Sequence, residues 1–182
     1  MEKAVFLFPA VMLFWIVFFG AASAAGALEL MSPAFKDGGD MPAKHARPAA
    51  GGQNVSIPLQ WSGVPEGAKS FALSIIDIHP VANNWVHWLV ANIPAGVTSL
   101  PEGASGKNMP PGAVEAKNSF GTTGYGGPQP PKGTGSHSYV VTLYALNVDK
   151  IDLPASASRS DFQNAIKGKI IQQATITGHY KQ

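Results

Sequence analysis

Apolar residues recur along the chain in short stretches that are typical of β-strands. In the clearest of these, Ser70–Asp77, the side chains of Phe71, Leu73 and Ile75 share one face because side chains alternate across a strand. Further strands are predicted at residues 28–35, 55–61, 85–93, 138–147 and 169–177. Pro58 interrupts the strand 55–61, which favours an edge position for it. With no alternation of strands and helices, the pattern predicts a mainly β fold, an antiparallel sandwich.

One short helix is predicted near the end of the chain. Residues 160–163 have the form of a capping box that begins at Ser160, and Phe162 and Ile166 lie one turn apart. Gly168 follows and can end the helix.

Three polar residues, Asp77, His87 and His137, interrupt or end the apolar faces of the predicted strands. His87 is in phase with Leu89 and Ala91 on its strand. A single histidine in such a place is either a core residue with satisfied hydrogen bonds or a group that binds a ligand. The pattern alone leaves both interpretations open.

A loop rich in glycine and proline, residues 124–133, leads into His137 and Tyr139. Its prolines fix φ, and its glycines allow a ligand to approach the backbone closely. Asp77 beside a histidine would raise the pKa of that histidine and favour the imidazolium. An imidazolium, a tyrosine hydroxyl and loop N–H groups together suit a phosphate or carboxylate. The loop can also be a stiff connector without a function.

Composition removes several classes of function. The chain has 20 glycines and 15 prolines in 182 residues and only 13% charged residues, which is typical of a turn-rich β protein. The net charge is +2 and the basic residues are scattered singly, a pattern that excludes a nucleic-acid binder. The absence of cysteine excludes disulfides, thiolate zinc sites and cysteine nucleophiles.

Catalysis is the third interpretation of the polar residues. His87, His137 and Asp77 resemble a metal set of two histidines and a carboxylate. The chain has neither an H-E-x-x-H motif nor a G-x-S-x-G nucleophile elbow. We therefore predict a binding protein and not an enzyme, with no catalytic residue, no metal and no cofactor.

The first 24 residues are typical of a secretory signal peptide. Lys3 precedes an apolar run over residues 4–20, and small residues with two A-x-A sites follow. Cleavage is predicted after Ala24, or as late as Ala27, which leaves one domain over residues 25–182. An uncleaved anchor is the less favoured alternative, because the apolar run is also long enough to span a bilayer. Either interpretation predicts a periplasmic or secreted domain.

Four motifs follow one another along the chain: S-F-A-L at 70–73, W-V-H-W-L-V-A-N-I-P at 85–94, G-Y-G-G-P at 124–128 and P-P-K-G-T-G-S-H-S-Y at 130–139. By these motifs the chain, from about Leu28 to Tyr180, resembles the phosphatidylethanolamine-binding protein family in its bacterial Raf-kinase-inhibitor-like branch. The resemblance implies an antiparallel β-sandwich with Greek-key connections, one or two short helices and a small pocket for phosphate-bearing groups.

The resemblance also implies which residues bind the ligand. Asp77 matches the first aspartate of the family's D-P-D-A-P motif, and His87 matches the histidine of its tryptophan-histidine strand. Pro131, His137 and Tyr139 match residues that close the pocket from the second loop. The ligand-binding set implied in this way is Asp77, His87, Pro131, His137 and Tyr139.

Two positions depart from the family pattern. His79 stands in place of the second aspartate of D-P-D-A-P, and Ser138 stands in place of the arginine of G-x-H-R-Y. We expect His79 to face solvent, although it could also reach a ligand. The two changes together remove one anionic and one cationic residue, so they bear more on the identity of the ligand than on the fold.

These observations lead to one function and one alternative. The first is an exported binding protein with an anion pocket for phosphate-bearing head groups, whose partner is a small phosphate-bearing ligand or a phospholipid head group. The alternative is a secreted interaction protein that inhibits or modulates a protease, a kinase or a host-cell partner.

Overall fold

The computed structural model describes Met1 and residues 26–182, so the rest of the predicted leader lies outside the described residues. In chain order the described strands are β1 (Glu29–Met31), β2 (Gly39–Asp40), β3 (Leu59–Ser62), β4 (Ser70–Asp77), β5 (Trp85–Pro94), β6 (Ser99–Leu100), β7 (Val114–Glu115), β8 (His137–Leu146) and β9 (Ile170–Tyr180). The α-helix α1 is Arg159–Ile166, and short 3-10 helices are Ala43–His45, Pro48–Ala50 and Pro80–Ala82. No helix within residues 26–182 is long and apolar enough to cross a membrane.

The strands form two sheets. The smaller sheet has the order β1-β3-β6, and the larger has the order β2-β9-β8-β4-β5-β7. Neighbouring strands are antiparallel except for the two-residue β2, which pairs with β9 in parallel. The predicted mainly β, sandwich-like fold with a short helix is confirmed.

The larger sheet is covered on both faces, as its apolar residues require. One face packs against the smaller sheet through a buried cluster that includes Trp61, Phe71, Leu73 and Tyr139. The other face packs against α1 and the segment before it through a second cluster, which includes Phe162. The long strands β4, β5 and β8 are therefore fixed from both sides.

The predicted edge position of the strand around Pro58 is wrong. The strand begins at Leu59, after the proline, and pairs with β1 on one side and β6 on the other. Pro58 lies outside the ladder, so its missing N–H removes no hydrogen bond from the sheet.

The helix is confirmed, but its cap lies two residues earlier than predicted. Ser158 is the N-cap: its hydroxyl accepts from the Asp161 N–H, and the Asp161 carboxylate accepts from the Ser158 N–H. Asp161 is thus the N3 residue, the fourth of the capping box, and not the second. Gly168 follows the helix with φ of +71°, the left-handed conformation that suits glycine.

Candidate functional site

All five residues of the predicted ligand-binding set line one cavity. It has a volume of about 360 Å³ and lies where the end of β4 meets the starts of β5 and β8. The strand register explains this, because Asp77 pairs with Trp85 on one side and with Tyr139 on the other. Six further residues complete the wall: Val81, Ala82, Trp85, Phe120, Gln129 and Pro130.

A β-bulge places His87 at the cavity. Ile75 pairs with Trp88 and Ile76 pairs with Val86, so His87 is the additional residue on β5 at this point. A bulge of this kind re-aims the side chain that it contains.

The phase predicted for His87 is therefore wrong. Leu89 and Ala91 pack in the cluster on the helix side of the sheet. The His87 ring instead lies 4.9 Å from the Tyr139 ring, edge to face, and Tyr139 belongs to the cluster between the sheets. Simple alternation placed His87 on the same face as Leu89 and Ala91, because it does not anticipate the inserted residue.

The Gly/Pro loop holds the His87 ring in place. The Gly126 N–H donates to the His87 carbonyl at 2.8 Å, and His87 Nδ1 lies 2.5 Å from the Gly126 carbonyl oxygen. The loop is in turn anchored by Asn54, whose side-chain oxygen accepts from the Gly127 N–H at 2.7 Å. These hydrogen bonds therefore hold the loop in a fixed position as one wall of the cavity.

Asp77 and His137 form a buried pair. His137 Nδ1 lies 2.6 Å from Asp77 Oδ2. His137 is 0% exposed and Asp77 is 3% exposed. The other carboxylate oxygen, Oδ1, accepts from the His79 N–H at 2.9 Å. Both oxygens of the buried carboxylate therefore have partners, as burial of such a group requires.

Thr134 completes a chain of hydrogen bonds that runs through His137. The Thr134 hydroxyl donates to the Pro131 carbonyl at 2.6 Å, since a carbonyl oxygen only accepts. Thr134 Oγ1, 2.8 Å from His137 Nε2, must then accept from that nitrogen. In an Asp-His-Ser arrangement for catalysis the hydroxyl donates to the histidine. The direction here is the reverse, so Thr134 is not arranged as an activated nucleophile.

At each of the two positions that depart from the family pattern, the side chain contacts another histidine. His79 does not simply face solvent: it is half-buried and its ring stacks on the His137 ring, with centroids 3.9 Å apart. Ser138 lies with its hydroxyl 3.2 Å from His179 Nδ1 on β9. His79 therefore supports the back of His137, and neither residue contributes to the cavity wall.

His87 is neutral near pH 7, and the histidine that pairs directly with Asp77 is His137. Burial lowers the pKa of His87 to about 4, although the carbonyls of Gly126 and Gly127 and the charge of Asp77 act in the opposite direction. Desolvation of the charged ring outweighs these attractions because the side chain is 2% exposed.

The Tyr139 hydroxyl is enclosed close to Asp77, but it makes no hydrogen bond of normal geometry with any described residue. Burial raises the pKa of Tyr139, and the nearby charge of Asp77 acts in the same direction, so the hydroxyl keeps its proton. An unpaired buried hydroxyl destabilises a folded protein unless a ligand or water supplies the partner.

Sequence reasoning missed Phe120 in the cavity wall and the arginine that packs against its ring. Phe120 lines the cavity, its ring lies 5.6 Å from the His87 ring, and the Arg47 guanidinium lies 4.0 Å above the Phe120 ring. Phe120 belongs to an irregular stretch without periodicity, and Arg47 is far away in sequence. No local signal marked either residue.

The described residues offer no ready metal site. Within residues 26–182 no group of three or more histidine, aspartate or glutamate side chains is placed to hold a metal ion. The arrangement can instead enclose a small molecule against apolar walls and offer it a few polar groups, which is the usual construction of a ligand site.

Comparison with known proteins gives consistent findings. The family described as phosphatidylethanolamine-binding protein matches residues 31–181. A UPF0098 protein of Aquifex aeolicus is 39% identical over 168 residues, which cover 92% of this chain and 96% of that protein. A protein of Mycobacterium tuberculosis named as a lipoprotein, LppC, is 38% identical over 160 residues, covering 88% and 75%. The crystal structure of Escherichia coli YbcL, described as a member of the mammalian PEBP family, matches with a TM-score of 0.81 at 37% identity, covering 86% of this chain and 99% of that one.

Proposed function

Because the chain belongs to the phosphatidylethanolamine-binding protein family, we propose that it is an exported binding protein whose cavity holds a phosphate-bearing head group. The observation that carries the proposal is the convergence of Asp77, His87, Pro131, His137 and Tyr139 on one cavity of about 360 Å³. This volume lies at the lower end of the range for small-molecule sites, roughly 300–1,000 Å³. A single head group fits that size better than a lipid with its acyl chains.

Two unpaired polar groups support binding of a polar ligand. The Tyr139 hydroxyl has no partner within residues 26–182. His87 Nε2 also has no hydrogen-bond partner within residues 26–182. Unlike the Tyr139 hydroxyl it is not fully enclosed, so solvent reaches it. Since the His87 ring is otherwise enclosed, that access is through the cavity. A ligand that enters can satisfy His87 Nε2 directly, and it reaches the Tyr139 hydroxyl once a small shift of the surrounding side chains exposes that oxygen.

Export is the second part of the proposal. It is supported by the signal-peptide pattern of residues 1–24 and by the similarity to LppC, which is named as a lipoprotein.

The rim of the cavity carries two exposed apolar side chains. Val81 and Trp85 are 59% and 38% exposed, and both line the cavity. In the proposed complex they contact the part of the ligand that extends beyond the phosphate.

The test is an NMR titration of the purified protein with phosphoethanolamine. We expect saturable shifts in the side-chain signals of His87 and His137 and in the amides of the 124–133 loop. The side chains of His45 and His179 do not line the cavity and serve as internal controls. Equal shifts at the two cavity histidines and the two controls, or no shifts at all, would refute the cavity as the binding site and leave the interaction-protein alternative.

A pair of tyrosine variants sharpens this test. Tyr139→Phe removes the unpaired hydroxyl and should weaken phosphoethanolamine binding about fivefold, since one neutral hydrogen bond contributes about 1 kcal/mol. Tyr144→Phe is the matched control, because Tyr144 lies on the same strand outside the cavity. Equal effects of the two variants would contradict a role for Tyr139 in binding.

A further inference from the structure

The hydrogen bonds around the cavity determine which ring nitrogens carry protons. His87 Nδ1 lies 2.5 Å from the carbonyl oxygen of Gly126. A carbonyl oxygen only accepts, so this nitrogen carries a proton and donates it. Nε2 is then the nitrogen left for a ligand, and its behaviour depends on whether the ring is neutral or cationic.

The ring is neutral, so Nε2 presents a lone pair. The side chain is 2% exposed, and this burial lowers the pKa of His87 to about 4. A neutral imidazole with its proton on Nδ1 accepts at Nε2 and has nothing to donate there. The cavity therefore offers an acceptor at the point where an anion site would ordinarily offer a donor.

The groups that face His87 do not reverse this. On β4 and β8, Asp77 and His137 are hydrogen-bonded to each other, and the charge of Asp77 raises the pKa of His87 by less than burial lowers it. The Tyr139 hydroxyl is neutral near pH 7, because burial raises its pKa. The charge of Arg47, which packs on the Phe120 ring, also favours the neutral His87 ring, and no lysine or arginine among the described residues lines the cavity.

We propose that the cavity selects oxyanions that carry a proton, namely phosphomonoesters and inorganic phosphate as monoanions, over sulfate and over phosphodiesters. The P–OH group of a monoanion donates to His87 Nε2 and satisfies it. Sulfate and a phosphodiester have no such proton near neutral pH, so an oxygen lone pair would face the nitrogen lone pair. A site built to hydrogen-bond a substrate group rejects analogues that lack it strongly. The inference rests on the proposed function and narrows its ligand class to phosphomonoesters and inorganic phosphate, since the phosphate of an intact phospholipid is a diester and falls among the disfavoured ligands.

The test compares small anions on the purified protein by titration calorimetry at constant ionic strength. Methyl phosphate and dimethyl phosphate are a matched pair that differ in the P–OH group, and sulfate and inorganic phosphate form a second pair. At about pH 5.5, below or near the second pKa of a phosphomonoester at about 6, methyl phosphate should bind at least about tenfold more tightly than dimethyl phosphate or sulfate. Inorganic phosphate should likewise bind more tightly than sulfate.

The pH dependence gives a second readout. Affinity for methyl phosphate should fall by up to about tenfold per pH unit above its second pKa of about 6, because the monoanion disappears while the protein's His87 stays neutral. His87→Asn retains an N–H for the Gly126 carbonyl but removes Nε2, so discrimination between methyl and dimethyl phosphate should fall below about threefold.

The outcomes separate the two proposals. Equal affinity for methyl phosphate, dimethyl phosphate and sulfate, or affinity that rises with pH, overturns the selectivity and leaves the anion-binding function in place. Binding of none of the four anions overturns both. Selectivity that persists unchanged in His87→Asn overturns the assignment to His87 Nε2.

Discussion

Asp77 is the residue on which the polar network of the cavity depends. Its carboxylate is buried and accepts from the His137 ring at 2.6 Å and from the His79 N–H at 2.9 Å. The first contact orients His137, and the second fixes the turn that follows β4. One side chain therefore determines the shape of two sides of the site.

Asp77→Asn should destabilise the protein by about 3 kcal/mol, because it leaves the buried His137 without its charged partner. The amide also has only one acceptor oxygen for two donors. Asp152→Asn is a control of the same chemistry at an exposed position, and it should change stability by no more than about 0.5 kcal/mol. Chemical denaturation measures both; equal midpoints for the two variants would contradict the role of Asp77.

At the scale of elements, the 124–133 loop is positioned by close backbone contacts. The Pro128 carbonyl accepts from the Arg47 N–H at 3.0 Å, and the Gly127 N–H donates to Asn54. A Cβ atom on Gly127 would lie 2.0 Å from the His45 carbonyl oxygen, which is backbone and cannot move aside alone. The loop therefore reaches the cavity only because this residue is glycine.

Gly127→Ala should destabilise the protein by about 1–3 kcal/mol, the usual range for overpacking, and should also weaken phosphoethanolamine binding. The loop must move away from the 43–54 segment, and Gly126 then no longer holds the His87 ring. Gly96→Ala is the matched control, since a Cβ at that loop glycine meets nothing within 4 Å. Denaturation and calorimetry on both variants test this, and unchanged binding in Gly127→Ala would show that the loop is a mere connector.

For the molecule as a whole, the buried neutral His87 makes global stability depend on pH. Its folded-state pKa is about 4, whereas an unfolded chain has the ordinary value of 6.5. Between these values the unfolded state binds a proton that the folded state does not bind. Unfolding therefore becomes easier as pH falls from about 6.5 to about 4. His45, whose pKa burial also lowers, acts in the same direction.

His87→Asn should remove the His87 part of this pH dependence. Relative to the unmutated protein, the free energy of unfolding of the variant should gain up to about 3 kcal/mol as pH falls from about 6.5 to about 4. The comparison cancels His45 and the carboxylates, which are the same in both proteins. Urea denaturation across this pH range measures the difference, and two parallel pH profiles would mean that His87 is not buried as a neutral ring.

The sequence by itself determined the main elements and five of the residues that line the cavity. Alternation predicted the strand Ser70–Asp77 with the bounds that the structure has, and the capping pattern predicted α1 to within two residues. These are local properties, set by side-chain direction and nearby hydrogen bonds. The motifs contain His87, Pro131, His137 and Tyr139, and Asp77 matches a further motif of the same family; these five residues all line the cavity because the chain has that family's fold.

Only the tertiary structure decided how those residues behave. The bulge that brings His87 to the cavity depends on the register between β4 and β5. Its neutral state depends on burial, and the position of its proton on Nδ1 depends on the carbonyl of Gly126, 39 residues away along the chain. The stacking of His79 on His137 and the cation over Phe120 likewise join segments with no local relation. Periodicity reports which face of a strand is apolar; proton positions and charge depend on partners that only folding places within hydrogen-bond distance.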